Sequence, residues 1–460
     1  MKKLSLQELI NYCKEYGFIF QSSEIYDGVK AVYDYGHYGC LLKQNVKNIW
    51  WKSMVQLNNN IVGIDSSIIM HPSIWKVSGH VDNFDDLMID NKDSKKRYRI
   101  DILLEQLAEE GKISQNVLEH ANALINSNNL EGLYNLVIDN KVCCPISKTC
   151  NWAKVRHFNL MFNFEDIDGN TIYLRPETAQ GIYVNFLNIK QSTHQKIPFG
   201  IAQIGKAFRN EIIARQFTFR MREFEQMEMQ FFIKPNEDKQ WFEYWKTKRM
   251  KWYTDVLGIS QENLRFKPHD KLAHYAKAAV DIEYKFPFGF KEIEGIHARG
   301  DFDLSNHERC SGKKMRIDET ENHIPHVVET SCGCDRLVLM LLSENIINDN
   351  GRLIFNIDRQ LAPIKCAILP LMKKPELINS AFNVYDKLKH EILCTYDETG
   401  SIGKRYVRND IIGTPFCVTI DYQTLKDNTV TVRERNSMNQ TRVAVDNITS
   451  CCGKYTVSKA

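Results

Sequence analysis

Four side chains in the segment from Phe208 to Glu228 have the types and spacing of a nucleotide site. Arg209 lies in one alternating stretch, and Arg220, Phe224 and Glu228 recur at every fourth position of the next. Arginine is suited to bidentate recognition of phosphate. An aromatic ring stacks on a base, and a carboxylate accepts hydrogen bonds from an amine. The sequence holds no GxxxxGK[ST] loop, so these residues predict an ATP site built on one face of a sheet.

The alternation of the same segment predicts the element that carries these side chains. Both ends have the period of a strand and residues Ile212 to Gln216 break it, which predicts a long antiparallel hairpin with a loop there. On the second strand, the predicted apolar face is interrupted by Glu223 and Glu225 and consists of Phe217, Phe219, Met221, Met227, Met229 and Phe231. The predicted opposite face consists of Thr218, Arg220, Arg222, Phe224, Gln226, Glu228 and Gln230.

A second pattern, at residues 324–346, predicts a strand, a glycine turn and a buried apolar helix. The turn reads Gly333-Cys334-Asp335-Arg336. It places Arg336 at the start of the helix, where it would add a third arginine to the ATP site.

These patterns resemble the signature motifs of class II aminoacyl-tRNA synthetases. Phe208-Arg209-Asn210-Glu211 with Arg220, Phe224 and Glu228 resembles the second motif, and the turn at Arg336 resembles the third. The stretch IVGIDSSIIMHPSIW, which looks strand-like before its proline, resembles the first, dimer-forming motif. The resemblance implies that Arg209 holds the α-phosphate and the attacking carboxylate, and that Arg220 holds the γ-phosphate. It also implies that Phe224 stacks on adenine, with Arg336 over its other face.

Within this class, phrases along nearly the whole chain resemble the glycyl-tRNA synthetase family. They include YDYGHYGCLLKQN, RYRIDILLE, RHFNLMF, LRPETAQGIYVNF, GIHARGDFDLSNH and PHVVETSCGCDRL. The resemblance places Glu177, Glu329 and Ser331 around the substrate ammonium. Glycine offers no side chain to grip, so a small anionic pocket that clashes with anything larger would select it.

The resemblance implies three overlapping sets of site residues. The catalytic set is Arg209, Arg220 and Arg336. The ATP-binding set is Arg209, Asn210, Glu211, Phe219, Arg220, Met221, Arg222, Glu223, Phe224, Glu292, Ile293, Gly333, Cys334, Asp335 and Arg336. The glycine-binding set is Arg99, Glu177, Phe224, Glu225, Gln226, Met227, Glu228, Glu329, Thr330, Ser331, Cys332 and Gly333. The implied cofactors are ATP and Mg²⁺, with Mg²⁺ placed near Glu292.

Composition and pattern predict the organisation of the 460 residues. The net charge of +3 permits a local basic surface without proving nucleic-acid binding. We expect an α+β protein with the class II antiparallel sheet flanked by helices at 1–84 and 151–361, a polar inserted subdomain at 85–150, and an α/β anticodon-binding domain at 362–460. The 13 cysteines form no regular framework, and no apolar run could cross a bilayer, so we expect a cytoplasmic protein. The implied partners are tRNA(Gly) and a second copy of the chain, with no membrane.

Several alternatives stay open at this level. The basic cluster Lys404, Arg405, Arg408, Arg433, Arg435 and Arg442 predicts either tRNA contacts or ordinary surface charge. Cys143, Cys144 and Cys150 lie where zinc elements occur in some relatives, but a clean CxxC pair is missing. A class II synthetase for another amino acid would lack the Glu177, Glu329 and Ser331 set. A non-catalytic accessory or RNA-binding relative would be free to lose its ATP arginines.

Overall fold

The structure is a computed structural model that describes residues 2–212, 216–269, 276–316 and 323–453. The loop predicted at Ile212–Gln216 therefore falls partly outside the described residues. Its strands are β1 (Lys2–Lys3), β2 (Ile19–Gln21), β3 (Tyr33–Tyr35), β4 (Ile61–Gly63), β5 (Asp85–Asn91), β6 (Lys96–Arg99), β7 (Arg156–Asn159), β8 (Asn163–Glu165), β9 (Thr171–Tyr173), β10 (Phe199–Phe208), β11 (Glu223–Ile233), β12 (Leu264–Pro268), β13 (Ala278–Phe286), β14 (Gly289–Gly300), β15 (His326–Gly333), β16 (Ile346–Asp349), β17 (Arg352–Phe355), β18 (Cys366–Pro370), β19 (Cys394–Tyr396), β20 (Phe416–Ile420), β21 (Thr429–Glu434) and β22 (Gln440–Ala444).

The helices account for most of the remaining chain. They are α1 (Leu6–Glu15), α2 (His37–Trp51), α3 (Pro72–Val77), α4 (His80–Asn83), α5 (Ile100–Glu109), α6 (Gln115–Asn126), α7 (Leu130–Asp139), α8 (Ala179–Val184), α9 (Phe186–Thr193), α10 (Asp238–Lys251), α11 (Phe302–Ser311), α12 (Cys334–Asn345), α13 (Pro375–Leu388), α14 (Ile402–Ile412), α15 (Thr424–Asp427) and α16 (Ile448–Gly453). Across the described ranges, no helix combines the length and apolar character that a bilayer crossing requires.

The chain divides into two compact units. One contains Met1–Ser67, Glu177–Ala207 and Arg215–Ala460, and the other contains Ile68–Pro176 and Phe208–Ala214. The second unit has a three-stranded sheet in the order β6-β5-β7. Its core joins the apolar faces of α5, α6 and α7 to the buried Trp152. This unit extends beyond the predicted insertion at 85–150.

The first unit is organised around a seven-stranded sheet in the order β12-β13-β14-β15-β11-β10-β4. Pairing is antiparallel from β12 through β15 to β11, and parallel between β10 and β4. Helix and antiparallel-rich sheet together give the α+β architecture expected from the sequence. Strand β10 neighbours β11, as expected for two consecutive strands of one hairpin.

The second strand of that hairpin is shorter than predicted. It begins at Glu223, and residues Phe217–Phe219 form a 3₁₀ turn in which all three side chains are buried. The prediction that Phe217, Thr218 and Arg220 already alternate on a strand is therefore wrong. Because this turn is buried on all sides, its sequence of aromatic and polar residues is the same as that expected for a strand. The first motif also contributes only the three residues of β4 as strand, and the proline after it begins α3.

From Phe224 onward the alternation holds, and it separates two faces. Met227, Met229 and Phe231 pack in the main core with the apolar side of α12. Phe224, Gln226, Glu228 and Gln230 share the other face. Pairing with β15 extends this polar face, because Glu228 lies opposite Ser331 and Gln230 lies opposite Glu329.

The core face contains one fully enclosed ion pair. Arg249 of α10 donates through Nε to Oε1 of Glu294 at 2.6 Å and through Nη2 to Oε2 at 3.1 Å. The Tyr253 hydroxyl donates to the same carboxylate at 2.8 Å. Because both charged groups are buried, each depends on the other for compensation.

The C-terminal part of the first unit has its own five-stranded sheet, in the order β19-β18-β20-β21-β22. Strands β19, β18 and β20 run parallel, and β20, β21 and β22 run antiparallel. The sequence-based expectation of alternating strands and helices here agrees with this small α/β sheet and its helices α13 and α14.

The predicted basic surface of this part is wrong for three of its six members. Arg405, Arg433 and Arg435 are buried, and their guanidinium groups hold the fold together. Arg405 donates to the Pro370 carbonyl, and Arg433 binds the buried Asp410. The other predicted members, Arg408 and Arg442, pair with Asp397 and Asp421, and Lys404 is exposed.

We predict that Arg249→Met lowers the free energy of unfolding by about 3–5 kcal/mol, because it leaves the Glu294 charge buried without its partner. Urea denaturation of the purified chain measures the change. Lys246→Ala, which breaks the exposed Lys246–Glu243 pair, is the matched control and should cost less than about 0.5 kcal/mol. The double change of Arg249→Met with Glu294→Gln should recover part of the loss. Equal costs for the two single variants would contradict the assignment.

A buried acidic pocket as candidate active site

Two buried carboxylates on neighbouring strands lie on the polar face of the sheet. Glu228 of β11 and Glu329 of β15 are 2% and 5% exposed. Their strands pair antiparallel, and the register puts Ser331 opposite Glu228. The structure thus brings Glu228, Glu329 and Ser331 of the predicted glycine set together on one face.

Glu228 is held by hydroxyl groups. Ser331 donates to its Oε1 and Thr178 donates to its Oε2, both at 2.6 Å. Burial, together with the nearby charges of Glu329 and Glu177, raises the pKa of Glu228 to about 8. Among the described residues, no basic side chain forms an ion pair with Glu228. The carboxyl group is therefore largely protonated near neutral pH.

Glu329 has the opposite balance. Its carboxylate accepts from Arg299 Nη1 at 3.1 Å, His297 Nδ1 at 2.9 Å and Gln230 Nε2 at 2.8 Å. Burial alone would raise the pKa of Glu329, but Arg299 and His297 outweigh it and hold the pKa below its usual value. Glu329 therefore keeps its negative charge in a place where water is largely excluded.

Glu177 is the third acid of the group, just before α8. Its Oε1 accepts from Gln180 Nε2 at 3.2 Å. Its charge is close enough to raise the pKa values of both Glu228 and Glu329. Three acids close to one buried point favour a cation such as an ammonium group, whose charge would also favour the ionised form of Glu228.

The start of α12 lies beside the other part of the polar face. Arg336 is in the first turn of this helix, after Gly333 at the N-cap. Its guanidinium stacks on the Phe219 ring at 4.5 Å and its Nη1 lies 3.1 Å from Oε1 of Glu292. Phe224 shares the face of Glu228 and is partly exposed. A helix N-terminus, an arginine and an available aromatic ring are together suited to a nucleotide with phosphates.

Asp335, predicted to contact ATP, is placed differently. It is buried, and its Oδ1 accepts from Tyr35 at 2.6 Å and from Lys43 at 2.7 Å. Its Oδ2 accepts the backbone N–H of Glu225 at 2.7 Å. This carboxylate therefore fixes α12 to α2 and β11, and so positions Arg336 rather than facing a ligand.

Other predicted site residues lie on the core face, because the two faces of a strand alternate. Glu225 points to Lys43 and Lys47 of α2. The remaining side chains on this side are Met227, Ile293, Thr330, Cys332 and Cys334. Only their backbone groups remain available to a ligand.

The turn between the strands holds the remaining predicted ATP residues of this unit. Met221 is buried, Arg222 donates its backbone N–H to Ala31, and Glu223 pairs with Lys206. Arg220 is partly buried after the 3₁₀ turn. Gln226 lies on the polar face with its buried Oε1 lacking a hydrogen-bond partner among the described residues.

Four predicted residues belong to the second unit. Arg209 donates through Nε to the Pro176 carbonyl at 3.0 Å and lies over the Phe84 ring. Asn210 donates its N–H to Leu160, and Glu211 donates its N–H to Arg209. Arg99 is tied to two acids, at 2.5 Å from Asp101 and 3.1 Å from Asp86. These two acids offset the positive charge of Arg99, which the predicted contact with a substrate carboxylate would need.

Sequence reasoning missed the residues that support the acids. Arg299 binds Asp303 bidentately as well as Glu329, and Gln230 accepts from the Tyr183 hydroxyl. Arg299 and His297 both lie inside the phrase GIHARGDFDLSNH, two residues apart. Their spacing, which places both on one face of a strand, was the sequence pattern that could have identified them.

The cysteine group for which the sequence leaves zinc binding open is only partly assembled. Cys143 and Cys150 have their sulfur atoms 2.7 Å apart. Cys144 turns instead to Tyr98 and Ser94, whose hydrogen bonds help to lower its pKa to about 6 against the effect of burial. The three thiols therefore do not converge on one point.

Comparisons with known proteins cover nearly the whole chain. The family model for the tRNA synthetase class II core domain (G, H, P, S and T) matches residues 162–345. The model for an anticodon binding domain matches 365–454, and that for glycyl-tRNA synthetase insertion domain 1 matches 86–117 and 107–160.

Relatives and a solved structure agree with these matches. A glycine–tRNA ligase of Chlorobaculum tepidum is 48% identical over 458 residues, covering 95% of this chain and 97% of that protein. One of Borreliella burgdorferi is 47% identical over 463 residues, covering 97% and 96%. A prolyl-tRNA synthetase of Cryptosporidium parvum, complexed with L-proline and AMP, has a TM-score of 0.59 at 13% identity, covering 96% of this chain and 73% of that one. The last likeness supports the fold alone, whereas the identity to full-length relatives shows that the chain belongs to the glycine–tRNA ligase family of class II aminoacyl-tRNA synthetases.

Proposed function

We propose that this chain uses ATP to form glycyl-adenylate and then transfers glycine to the 3′ end of tRNA(Gly), releasing AMP and pyrophosphate. Membership of the glycine–tRNA ligase family supports the reaction. The observation that carries the choice of amino acid is the pair of buried acids Glu228 and Glu329 on one polar face, with the partly buried Glu177 close enough to affect the pKa of both.

Charge and size would both favour glycine in this pocket. An ammonium group would lose its water shell on entering this pocket. Contacts to Glu228, Glu329 and the Ser331 hydroxyl would replace that hydration. The surrounding side chains leave these acids nearly inaccessible to solvent, so a substituent on the α-carbon would meet packed atoms. An added group is excluded by steric clash, which is why selection of the smallest amino acid does not need a second, editing site.

The ATP end of the proposed site would lie at Phe224, Arg220 and Arg336. Phe224 would stack on adenine, and the arginines would hold phosphates of a bent ATP. Arg209 would hold the α-phosphate and the glycine carboxylate that displaces pyrophosphate in line. The protein then contributes positioning and charge stabilisation, with little covalent work of its own.

Mg²⁺ is proposed as the partner of ATP near Glu292. The carboxylate of Glu292 is about half exposed and lies beside Arg336, and oxygen ligands from one or two carboxylates plus phosphates suit this ion. When bound, Mg²⁺ would neutralise charge on the phosphates. Glu292 would hold it, and Arg336 would hold the phosphate oxygens that the ion leaves available.

The C-terminal α/β part is proposed to bind the anticodon end of tRNA. A cavity of about 690 Å³ lies between α13 and β19, lined in part by Asn379, Phe382, Asn383 and Tyr396. Aromatic rings and amides recognise unstacked bases by stacking and hydrogen bonding. This groove is a better candidate than the basic cluster, whose arginines are mostly buried. Homodimerisation, a cytoplasmic location and the domain boundaries given above remain our predictions.

The competing functions are less well supported. A synthetase for a larger amino acid is not favoured, because relatives 47–48% identical over nearly the whole chain are glycine–tRNA ligases. A non-catalytic relative would not need to keep Arg209, Arg220 and Arg336 together with the acidic pocket. Glycine-dependent ATP–pyrophosphate exchange, compared across amino acids, separates these functions directly.

We predict that Arg209→Ala nearly abolishes glycine-dependent ATP–pyrophosphate exchange, because it removes the group that holds the reacting phosphate. A loss on the order of 10²–10³-fold in kcat is expected for one charge-stabilising donor. The exposed Arg309, which donates to Asn306, supplies the matched control Arg309→Ala, with exchange unchanged. Retention of most of the exchange rate by Arg209→Ala would rule out the proposed role.

The raised pKa of Glu228 predicts a pH-dependent glycine KM. Below about pH 8 the free pocket carries a proton on Glu228, which must leave before the carboxylate can face an ammonium. Glycine KM in the exchange assay should therefore fall as pH rises, and level off above the pKa. Glu228→Gln keeps the neutral form at every pH, so its KM should be high and lose this dependence. Glu243→Gln, on an exposed acid outside the proposed site, should retain the profile of the unaltered chain.

Phe382 tests the anticodon groove separately from the chemistry. Phe382→Ala should raise the KM for tRNA in aminoacylation by about 5–100-fold, since base–aromatic stacking contributes roughly 1–3 kcal/mol. Pyrophosphate exchange, which needs no tRNA, should be unchanged. The similarly exposed Leu393→Ala is the control, and an equal effect of both changes would contradict the groove assignment.

A further inference from the structure

A second cluster of ligand-type side chains lies on the same sheet face, at its outer strands. His269 follows β12, Asp281 is on β13 and His297 is on β14. One ligand atom from each lies within 4.8 Å of the others. All three side chains are only partly buried, so the cluster is accessible from solvent.

Strand register explains why these side chains converge. The N–H of His269 donates to the Ala279 carbonyl, and Ala279 pairs with His297. Asp281 lies two residues further along β13 and therefore on the same face. Two imidazoles and one carboxylate thus reach the same point from three consecutive strands.

A small residue provides the space between the two rings. Ala279 lies directly between His269 and His297 in the register, and its side chain there is a single buried methyl group. The imidazole rings face each other edge-on, with centroids 5.7 Å apart. His269 Nε2 and Asp281 Oδ1 form a hydrogen bond at 2.8 Å, and a separation of roughly 3.3 Å between them would let both bind one tetrahedral ion.

The next strand supplies the support that metal-binding histidines require. His297 Nδ1 donates to Oε1 of Glu329 at 2.9 Å, which leaves Nε2 as its lone-pair nitrogen. A carboxylate on the far nitrogen is the arrangement that fixes the tautomer and orientation of a ligating imidazole. The pair Glu329–His297 therefore already has the geometry of a ligand and its supporting acid.

We propose that His269, Asp281 and His297 bind one divalent transition-metal ion of the zinc type, with solvent completing its coordination. Two nitrogens and one oxygen suit zinc, cobalt or nickel, and do not suit Mg²⁺, which takes oxygen ligands. The ion joins β12, β13 and β14 and fixes the imidazole that touches Glu329. This proposal does not depend on the proposed function, because metal binding is measured without substrates.

The test begins with the unaltered full-length chain, stripped with a chelator and titrated with Co²⁺. The expected result is saturable visible absorption at one ion per chain, with no sulfur-to-cobalt charge transfer, and displacement by Zn²⁺. Absence of saturable absorption overturns the proposal. Strong sulfur charge transfer also overturns it, because that band would place the ion on thiols such as Cys143 and Cys150.

Variants then locate the ion. Asp281→Asn and His269→Gln should weaken Co²⁺ binding on the order of 100-fold, and Ala279→Leu should block it with every ligand retained. The exposed His120→Gln and the double change Cys143→Ser with Cys150→Ser are controls that should bind Co²⁺ normally. Circular dichroism verifies that each variant is folded. Normal binding by the three folded site variants overturns the proposal, and if a variant misfolds, the spectrum of the unaltered chain decides.

Discussion

The buried charge of Glu329 is the constraint on which the polar side of the main sheet depends. A carboxylate out of water must be compensated, and here Arg299, His297 and Gln230 do so. Arg299 in turn binds Asp303 of α11, and Asp303 accepts from Gln180 of α8. The donors to Glu329 come from β11 and β14, and Arg299 and Asp303 extend the network to α11 and α8, so one acid ties the strand register to the packing of the helices around it.

Buried acids have different partners on the two faces of the sheet. On the core face, Glu294 receives Arg249 and Tyr253, so the charge is fully satisfied within the fold. On the polar face, Glu228 receives only two hydroxyl groups and keeps a raised pKa. Stability alone would favour the first arrangement. Glu228 lacks an ion-pair partner within the described residues, so a bound cation could supply the compensating charge. This contrast with Glu294 distinguishes the candidate site from a structural buried ion pair.

The sequence predicted the two faces of β11, and the errors in the surrounding predictions have definite physical causes. Alternation correctly separated the polar and core faces from Phe224 to Phe231, because a paired strand must alternate. It failed at Phe217–Phe219, where a turn is buried on all sides. Charge also misled: Arg405 and Asp335 have the residue types of ligand contacts, yet both are consumed in holding elements together. A linear sequence shows charge, but not which partner will bury it.

The fourfold spacing of the opening motif has a geometric reason on the proposed assignment. Residues four apart on a strand share a face and are separated by roughly 14 Å, at about 3.4 Å per residue. Phe224 and Glu228 therefore lie on one surface at a separation comparable to the length of an aminoacyl adenylate. Phosphates need arginines, whereas an ammonium needs acids, and these demands conflict if they meet at one point. The strand keeps them apart, with Arg336 near one end of the reacting molecule and Glu329 near the other.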